Sequence, residues 1–287
     1  MLTPQLPYPD LATALGLSTE LHLKREDLSP SGSHKGRSIA VMMDAYRDHG
    51  IHQFTISSSG NAAIVAADNL LLNESLIIFV GKKIDPKKLK KIQTIGAAKP
   101  HIRIEQLDRP KQAAIQYRGQ TGAVNLRQST DDLALAGYES LAKELNQIPN
   151  LQAVFIPTSS GTTAQSLGEW FASNNPKVQI HIVQTESCHP IAEYFDKKFT
   201  RRSESVARAI VDNIAHRKEK VVAIIEKSNG SGWIASDEEI EDAIKLAKAK
   251  TDTDISPNSA LSIAGLQKAI HNGWEFSGAV VCLITGV

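Results

Sequence analysis

A lysine at the start of a helix is placed for nucleophilic chemistry, and Lys35 occupies such a position. Between Leu21 and Ser38 the chain changes character twice. Alternation about Leu21 and Leu23 predicts a short strand, Ser29-Pro30-Ser31-Gly32-Ser33 a tight loop, and Lys35 a helix carrying Ile39, Ala40, Met42 and Met43. The positive end of a helix dipole disfavours an ammonium, so a lysine there tends toward a lowered pKa and a nucleophilic amine. Three further polar runs follow predicted strands: Ser57-Ser58-Ser59-Gly60-Asn61, Thr158-Ser159-Ser160-Gly161-Thr162-Thr163 and Thr285-Gly286. Two of these also open helices, where amides and hydroxyls can hold anions, one a phosphate and the other a carboxylate. Ordinary capping accounts for any one run. Two anion cradles, a helix-start lysine and a hydroxyl after the last strand in one chain go beyond capping.

The elements that must position these groups alternate in type. Helices are predicted at 35–50, 62–72, 86–97 and 111–118, with strands at 53–56, 75–80 and 101–104 between them. A polar, turn-rich stretch at 122–132 marks a crossing between domains. A second series follows, with helices at 133–145, 161–173, 191–195, 218–228, from 237 onward and at 257–271, and strands at 151–156, 178–183 and 279–284. A further strand is expected just after Gly230-Ser231-Gly232. Such alternation predicts an α/β fold of two domains, each a mostly parallel twisted sheet flanked by helices. The expected division is a smaller domain at 36–130 and a larger one at 131–287, joined by the segment 1–35.

Composition excludes several functions. A net charge of +1 over 287 residues supports no large-scale attraction to nucleic acid or to a membrane surface. No apolar run approaches the roughly 20 residues that span a bilayer. Met1-Leu2-Thr3-Pro4 begins neither a basic nor a long apolar segment, so a cytoplasmic location is expected. Two isolated cysteines, Cys188 and Cys282, form no disulfide framework, and neither His49 with His52 nor Cys188 with His189 has further ligands at metal-site spacing, so no metal is expected. The lysines at 82, 83, 87, 88, 90 and 91 interleave with Leu89, Ile92 and Ile95 at helical spacing and read as a solvated helix face. No strand is followed by G-x-G-x-x-G, and neither a Walker A sequence nor a G-x-S-x-G elbow occurs, which sets aside nicotinamide, nucleotide-hydrolase and serine-hydrolase readings.

A reactive amine, a phosphate cradle and a partner for a ring nitrogen together suit pyridoxal phosphate. Over nearly its whole length the chain resembles the fold-type II pyridoxal-phosphate enzymes. Lys24-Arg25-Glu26-Asp27 followed by Pro30-Ser31-Gly32-Ser33-His34-Lys35 resembles the cofactor-lysine motif, and Ser58-Ser59-Gly60-Asn61-Ala62 the asparagine loop. The resemblance implies a cofactor site between the domains. It implies that Lys35 carries the cofactor and shuttles protons, with His34 beside it, and that Asn61 bonds the cofactor's 3-oxygen. Ser57, Ser58, Ser59 and Gly60 would receive the substrate carboxylate, Thr158, Ser159, Ser160, Gly161 and Thr162 the cofactor phosphate, and Thr285 the pyridine nitrogen. A neutral hydroxyl at that nitrogen weakens the electron sink and favours elimination and replacement over transamination.

Within the family, the segments 183–191, 205–210, 217–219 and 259–266 resemble the threonine synthase branch. This implies conversion of phosphohomoserine to threonine, with Arg127, Lys24 and Arg217 as candidates for a second site that holds the substrate phosphate. Val124-Asn125-Leu126-Arg127 replaces that branch's Asn-Pro-x-Arg, His34 is closer to the tryptophan synthase beta chain, and Ser159-Ser160 interrupts a loop usually richer in glycine. Val287 follows Thr285-Gly286 directly, which is expected to bring a terminal carboxylate toward the cofactor. The alternatives are a serine/threonine dehydratase, which needs no phosphate-specific pocket, and an inactive protein that binds pyridoxal phosphate or an amino acid. Expected partners are a small amino-acid substrate and, as one oligomeric option, a second copy of the chain in a homodimer.

Overall fold

The structure is a computed structural model that describes every residue except Met1, Ser59, Lys83, Asp85 and Val287. The described chain divides into two compact units, Met1–Ser33 with Tyr138–Val287, and His34–Gly137. The smaller unit therefore starts at His34 and ends at Gly137, against the expected 36 and 130.

In the smaller unit, α2 (Lys35–Asp48) precedes four strands: β2 (Gln53–Ser57), β3 (Ser75–Gly81), β4 (Ile102–Leu107) and β5 (Val124–Asn125). They are joined through α3 (Asn61–Asp68), α4 (Pro86–Ala97) and α5 (Pro110–Thr121). The sheet has the order β4-β3-β2-β5, and every pairing is parallel. Its strands alternate between two apolar faces. Phe54, Ile56, Leu76, Ile78 and Val80 join Ile39, Met42, Met43 and the alanines of α3, while Ile77 and Phe79 face Ala114 and Tyr117 of α5. Two parallel faces can be buried only if helices cover both.

Residues 131–137 belong to this unit because α6 (Leu133–Ala136) packs on α2. The Ser38 hydroxyl donates to the Ala134 carbonyl at 3.0 Å, and a Cβ on Gly137 would stand 2.4 Å from the Ser38 Cα. That close approach requires glycine and breaks the single helix expected at 133–145 into α6 and α7 (Glu139–Leu145). Likewise α3 stops at Asp68 rather than 72. The Asn69 side chain turns back onto the Val65 carbonyl at 2.9 Å, and Glu74 takes the Leu71 amide at 2.9 Å.

The larger unit contains α1 (Pro9–Ala14), β1 (Leu21–Arg25), α7, β6 (Leu151–Pro157), α8 (Thr162–Asn174) and β7 (Gln179–Thr185). It continues through α9 (Lys218–Lys227), β8 (Gly232–Ala235), α10 (Asp237–Thr251), α11 (Pro257–His271) and β9 (Ala279–Ile284). Its sheet has the order β1-β9-β6-β7-β8, again wholly parallel. Val280, Cys282 and Ile284 of β9 enter one core with α1, α10 and α11, while Ala279, Val281 and Leu283 enter the other with α7, α8 and α9. Ser236 and Glu239 form a reciprocal capping box at the start of α10.

Two polar groups inside this unit are internally satisfied. Lys24, assigned above as a candidate for substrate phosphate, points into the protein instead. Its Nζ lies 2.5 Å from Glu144 Oε2 and donates to the Thr3 carbonyl at 2.9 Å and Gln5 Oε1 at 3.0 Å, with the lysine fully buried. A buried charge persists only when paired in this way, and here it ties the N-terminal segment and β1 to α7. His181 stacks on Phe155 at 4.4 Å between ring centroids and accepts a hydrogen bond at Nδ1 from the Trp233 indole at 3.2 Å. Its Nε2 therefore carries the proton and donates to Gln179 Oε1 at 3.3 Å.

Two outcomes are expected. Glu144→Gln leaves the Lys24 ammonium buried without its counter-charge and should lower unfolding free energy by about 3–5 kcal/mol in denaturant titration, whereas Lys24→Met together with Glu144→Leu should cost much less. Equal losses would contradict this. Burial lowers the folded His181 pKa from 6.5 to about 3, so the unfolded chain binds the extra proton between those values. Stability is then complete above pH 6.5 and falls as pH drops below it, by at most about 1.4 kcal/mol per pH unit. Thermal midpoints measured against pH should show this acid-side slope for the native protein and less of it for His181→Gln; parallel curves would refute the assignment.

Candidate active site

Each sheet reverses its strand order once, and ligands in open parallel sheets bind beyond the carboxyl ends at such a reversal. In the larger unit β7 and β8 extend to one side of β6, while β9 and β1 lie on the other. The crevice at this reversal is flanked by the loop after β6, 158–161, and by Thr285-Gly286 after β9. In the smaller unit β3 and β4 lie to one side of β2 and β5 to the other. Ser57 ends β2 there, Ser58 and Gly60 follow it, and Arg127 follows β5. The polar runs singled out from the sequence after β2, β6 and β9 thus fall at two reversal points, one in each unit.

The loop after β6 is shaped to receive an anion. Gly161 adopts φ +90°, and a Cβ there would lie 2.9 Å from Val221 Cγ2. This backbone conformation and tight contact exclude a side chain at the N-cap of α8. No acidic residue stands in the first turn of α8 to neutralise its dipole. Ser160 and Thr162 share a hydrogen bond between their hydroxyls at 3.0 Å. The Thr158 hydroxyl donates to the Ile156 carbonyl at 2.8 Å, so its proton is committed to the strand. The Ser159 hydroxyl accepts from the amides of Val211 at 3.1 Å and Asp212 at 3.2 Å.

Gln184 holds this loop from beneath and was not singled out from the sequence. Fully buried on β7, it donates to the carbonyls of Thr158 at 3.2 Å and Ser159 at 3.4 Å. Its Oε1 accepts from the amides of Ile191 at 2.9 Å and Ala192 at 2.8 Å. A glutamine interrupting an apolar strand was the available signal, because a buried amide must find partners for both of its ends. At the end of β9, Thr285 is buried and the Gly286 carbonyl accepts from Ser256 at 2.6 Å and Ser259 at 2.8 Å. Ser33 pairs with Gly286 in an antiparallel bridge, which fixes the loop preceding Lys35.

In the smaller unit the short connection 49–52 turns α2 antiparallel to β2, so Lys35 at the start of α2 stands at the carboxyl end of the sheet. Desolvation lowers the Lys35 pKa below that of an ordinary amine, and the like charge of Lys88 adds to the effect. His34 occupies the N-cap position without a side-chain capping bond. Gly60 caps α3, its amide donating to the Ser58 hydroxyl at 3.3 Å, and Asn61 is the first helical residue. No acidic residue lies in the first turn of α2 or α3. Ser59 and Val287, both assigned roles above, lie outside the described residues. Arg127 is half-buried and its Nε donates to the Ser129 hydroxyl at 3.1 Å. Arg217 is buried and donates to Gln165 Oε1 at 2.9 Å. Lys24 thus serves an internal ion pair, whereas Arg217, whose Cβ would lie 3.5 Å from a Cβ on Gly161, and Arg127 each donate to a neutral side chain.

An amine held below its usual basicity in the smaller unit, and an anion cradle that a Cβ would fill with a neutral hydroxyl at a strand end in the larger, are each of the kind that pyridoxal phosphate requires. Comparison with known proteins agrees with this chemistry. A family profile described as pyridoxal-phosphate dependent enzyme matches residues 2–286. The threonine synthase of Methanocaldococcus jannaschii is 27% identical over 306 residues, covering 99% of this chain and 74% of the relative. That of Mycobacterium tuberculosis is 26% identical over 298 residues, covering 99% and 80%. Among solved structures, a pyridoxal 5'-phosphate-dependent aspartate racemase superposes with a TM-score of 0.84 at 17% identity, covering 100% of this chain and 90% of the other. Threonine deaminase isoform 2 from Solanum lycopersicum gives 0.82 at 20% identity, covering 99% and 83%. The structural likenesses establish the fold, and the profile establishes the family: the chain belongs to the pyridoxal-phosphate-dependent enzymes of fold type II, with pyridoxal 5'-phosphate as cofactor.

Proposed function

We propose that the chain eliminates or replaces a leaving group on an amino acid, with conversion of phosphohomoserine to threonine as the first candidate reaction. The observation that carries this reading is the meeting of the polar runs with both strand-order reversals, together with the lowered basicity of Lys35. When bound, pyridoxal phosphate supplies an electron sink for charge left on the substrate Cα. Lys35 Nζ, deprotonated more readily than an ordinary lysine, attaches the cofactor and moves protons to and from the substrate. The amides opening α8, with the hydroxyls of Ser160 and Thr162, hold the phosphate. Asn61 orients the cofactor ring, and Ser57, Ser58 and the Gly60 amide receive the substrate carboxylate at the unneutralised start of α3. Thr285 offers a hydroxyl rather than a carboxylate to the ring nitrogen, which disfavours transamination and supports elimination.

The threonine synthase assignment draws on relatives of that name at 26–27% identity across 99% of the chain. A second reading, a serine/threonine dehydratase, is favoured by the internal ion pair of Lys24, one of the three candidate cations for a substrate phosphate.

Borohydride reduction of the protein loaded with pyridoxal phosphate, followed by peptide mapping, should mark Lys35, and Lys35→Ala should abolish turnover. A label on another lysine would sink this mechanism. Inorganic phosphate released from phosphohomoserine supports the synthase, keto acid and ammonia from L-threonine the dehydratase, and inactivity on both with tight cofactor binding refutes an enzyme of this kind. Gly161→Ala forces a side chain into a left-handed conformation against Val221. It should weaken cofactor binding by about tenfold in a fluorescence titration, in line with a strain of about 1–2 kcal/mol. An unchanged affinity would show that the loop does not hold the phosphate.

A further inference from the structure

Between β7 and α9 the residues 196–217 form neither helix nor strand, yet the part from 205 onward is pinned at four points. The Ser205 hydroxyl and the Val206 amide donate to Asp237 Oδ1 at 2.6 and 3.0 Å. The Ala209 amide donates to Asn258 Oδ1 at 2.9 Å. Val211 and Asp212 donate their amides to Ser159 Oγ, and Arg217 reaches Gln165. Asp237, Asn258 and Gln165 stand in the first turns of α10, α11 and α8. The strap therefore runs along the carboxyl edge of the larger sheet. Ala207, Ile210 and Ala215 are buried as anchors, while Val211 and Ile214 remain exposed on the arch between them. Ala215 takes φ +44°, a conformation that a non-glycine residue holds only when its surroundings enforce it.

Of the four pins, only Ser159 belongs to the phosphate loop itself. A hydroxyl has two acceptor positions and one proton to donate. The amides of Val211 and Asp212 take both acceptor positions, and Ser159 donates its proton to none of the described residues. We propose that Ser159 is the joint through which binding of the cofactor phosphate fixes the strap 205–217. It donates its proton to a phosphate oxygen while gripping the two strap amides. A hydroxyl that donates to an anion is polarised and becomes a better acceptor, so the three bonds strengthen one another. A glycine at this position, as in the glycine-rich form of the loop, supplies no such joint. Ser159 acts here as a positioning residue, and the inference rests on the phosphate assignment of the preceding section.

Coupling of this kind is reciprocal, so the factor by which the cofactor tightens the strap is the factor by which the strap tightens the cofactor. Hydrogen–deuterium exchange of the segment 207–215, with and without pyridoxal phosphate, reads it directly. In the native protein the cofactor should slow exchange at the amides of Val211 and Asp212 by about fivefold, the scale of one hydrogen bond. Ser159→Ala should lose that slowing and bind pyridoxal phosphate about fivefold more weakly, and Ser159→Thr should restore both. A merely structural role would not make protection depend on the cofactor. If the native protein binds pyridoxal phosphate and exchange at these amides is unchanged, the joint is refuted while the phosphate assignment stands. If no cofactor binds, both fall. The native comparison decides the matter even should Ser159→Ala fail to fold.

Discussion

Both sheets are wholly parallel and covered on both faces, so every strand must send apolar side chains to alternate sides. That constraint leaves the interior almost no room for reactive groups. Among the polar residues that do enter the sheets, Lys24, His181 and Gln184 are each tied to internal partners, whereas the buried Thr55 hydroxyl on β2 meets none among the described residues. Chemistry is consequently displaced to where strands stop. The reversal of strand order at β2 and at β6 then selects which ends are left open by diverging connections.

Electrostatics separates the helices at these ends from those with structural duties. The helix α10 begins with Asp237, Glu238 and Glu239 and closes its own N-terminus with a capping box. The helices α2, α3 and α8 carry no acidic residue in their first turns and no side-chain cap on their amides. A helix start without an acidic residue keeps the positive end of its dipole, which favours an arriving anion. At Lys35 it is desolvation, with the like charge of Lys88, that lowers the basicity of the amine.

Much of this was legible in the residue order. The βα alternation gave both sheets, and the bounds of α4, α11 and β9 follow directly from periodicity and from prolines at helix starts. The short strand β5 was hidden, because two residues are too few to display a period, and it is the pairing of Val124 with Phe54 that brings Arg127 beside the loop after β2. The break at Gly137 was equally hidden, since its cause is the backbone of Ser38, far away in sequence. For the site, residue types announced the lysine, the serines and the terminal threonine. Burial decided otherwise for Lys24, whose partner Glu144 lies 120 positions along the chain. Nothing local could reveal that Ser159 faces the amides of Val211 and Asp212.

The arrangement of β1 beside β9 has a consequence for synthesis on the ribosome. The smaller unit is one continuous segment, His34–Gly137, and all its strands have emerged before β6 is made. The larger sheet cannot close in that order. On one edge its first strand, Leu21–Arg25, is bonded by the segment 4–8, but on the other it pairs with the last, Ala279–Ile284, and β6 needs that same last strand on one side. Until β9 leaves the exit tunnel, β1 and β6 each present an open edge, and both are rich in apolar side chains. The nascent chain thus carries a finished inner unit flanked by an unfinished outer one, and its exposure to aggregation is governed by how promptly the final strand is released.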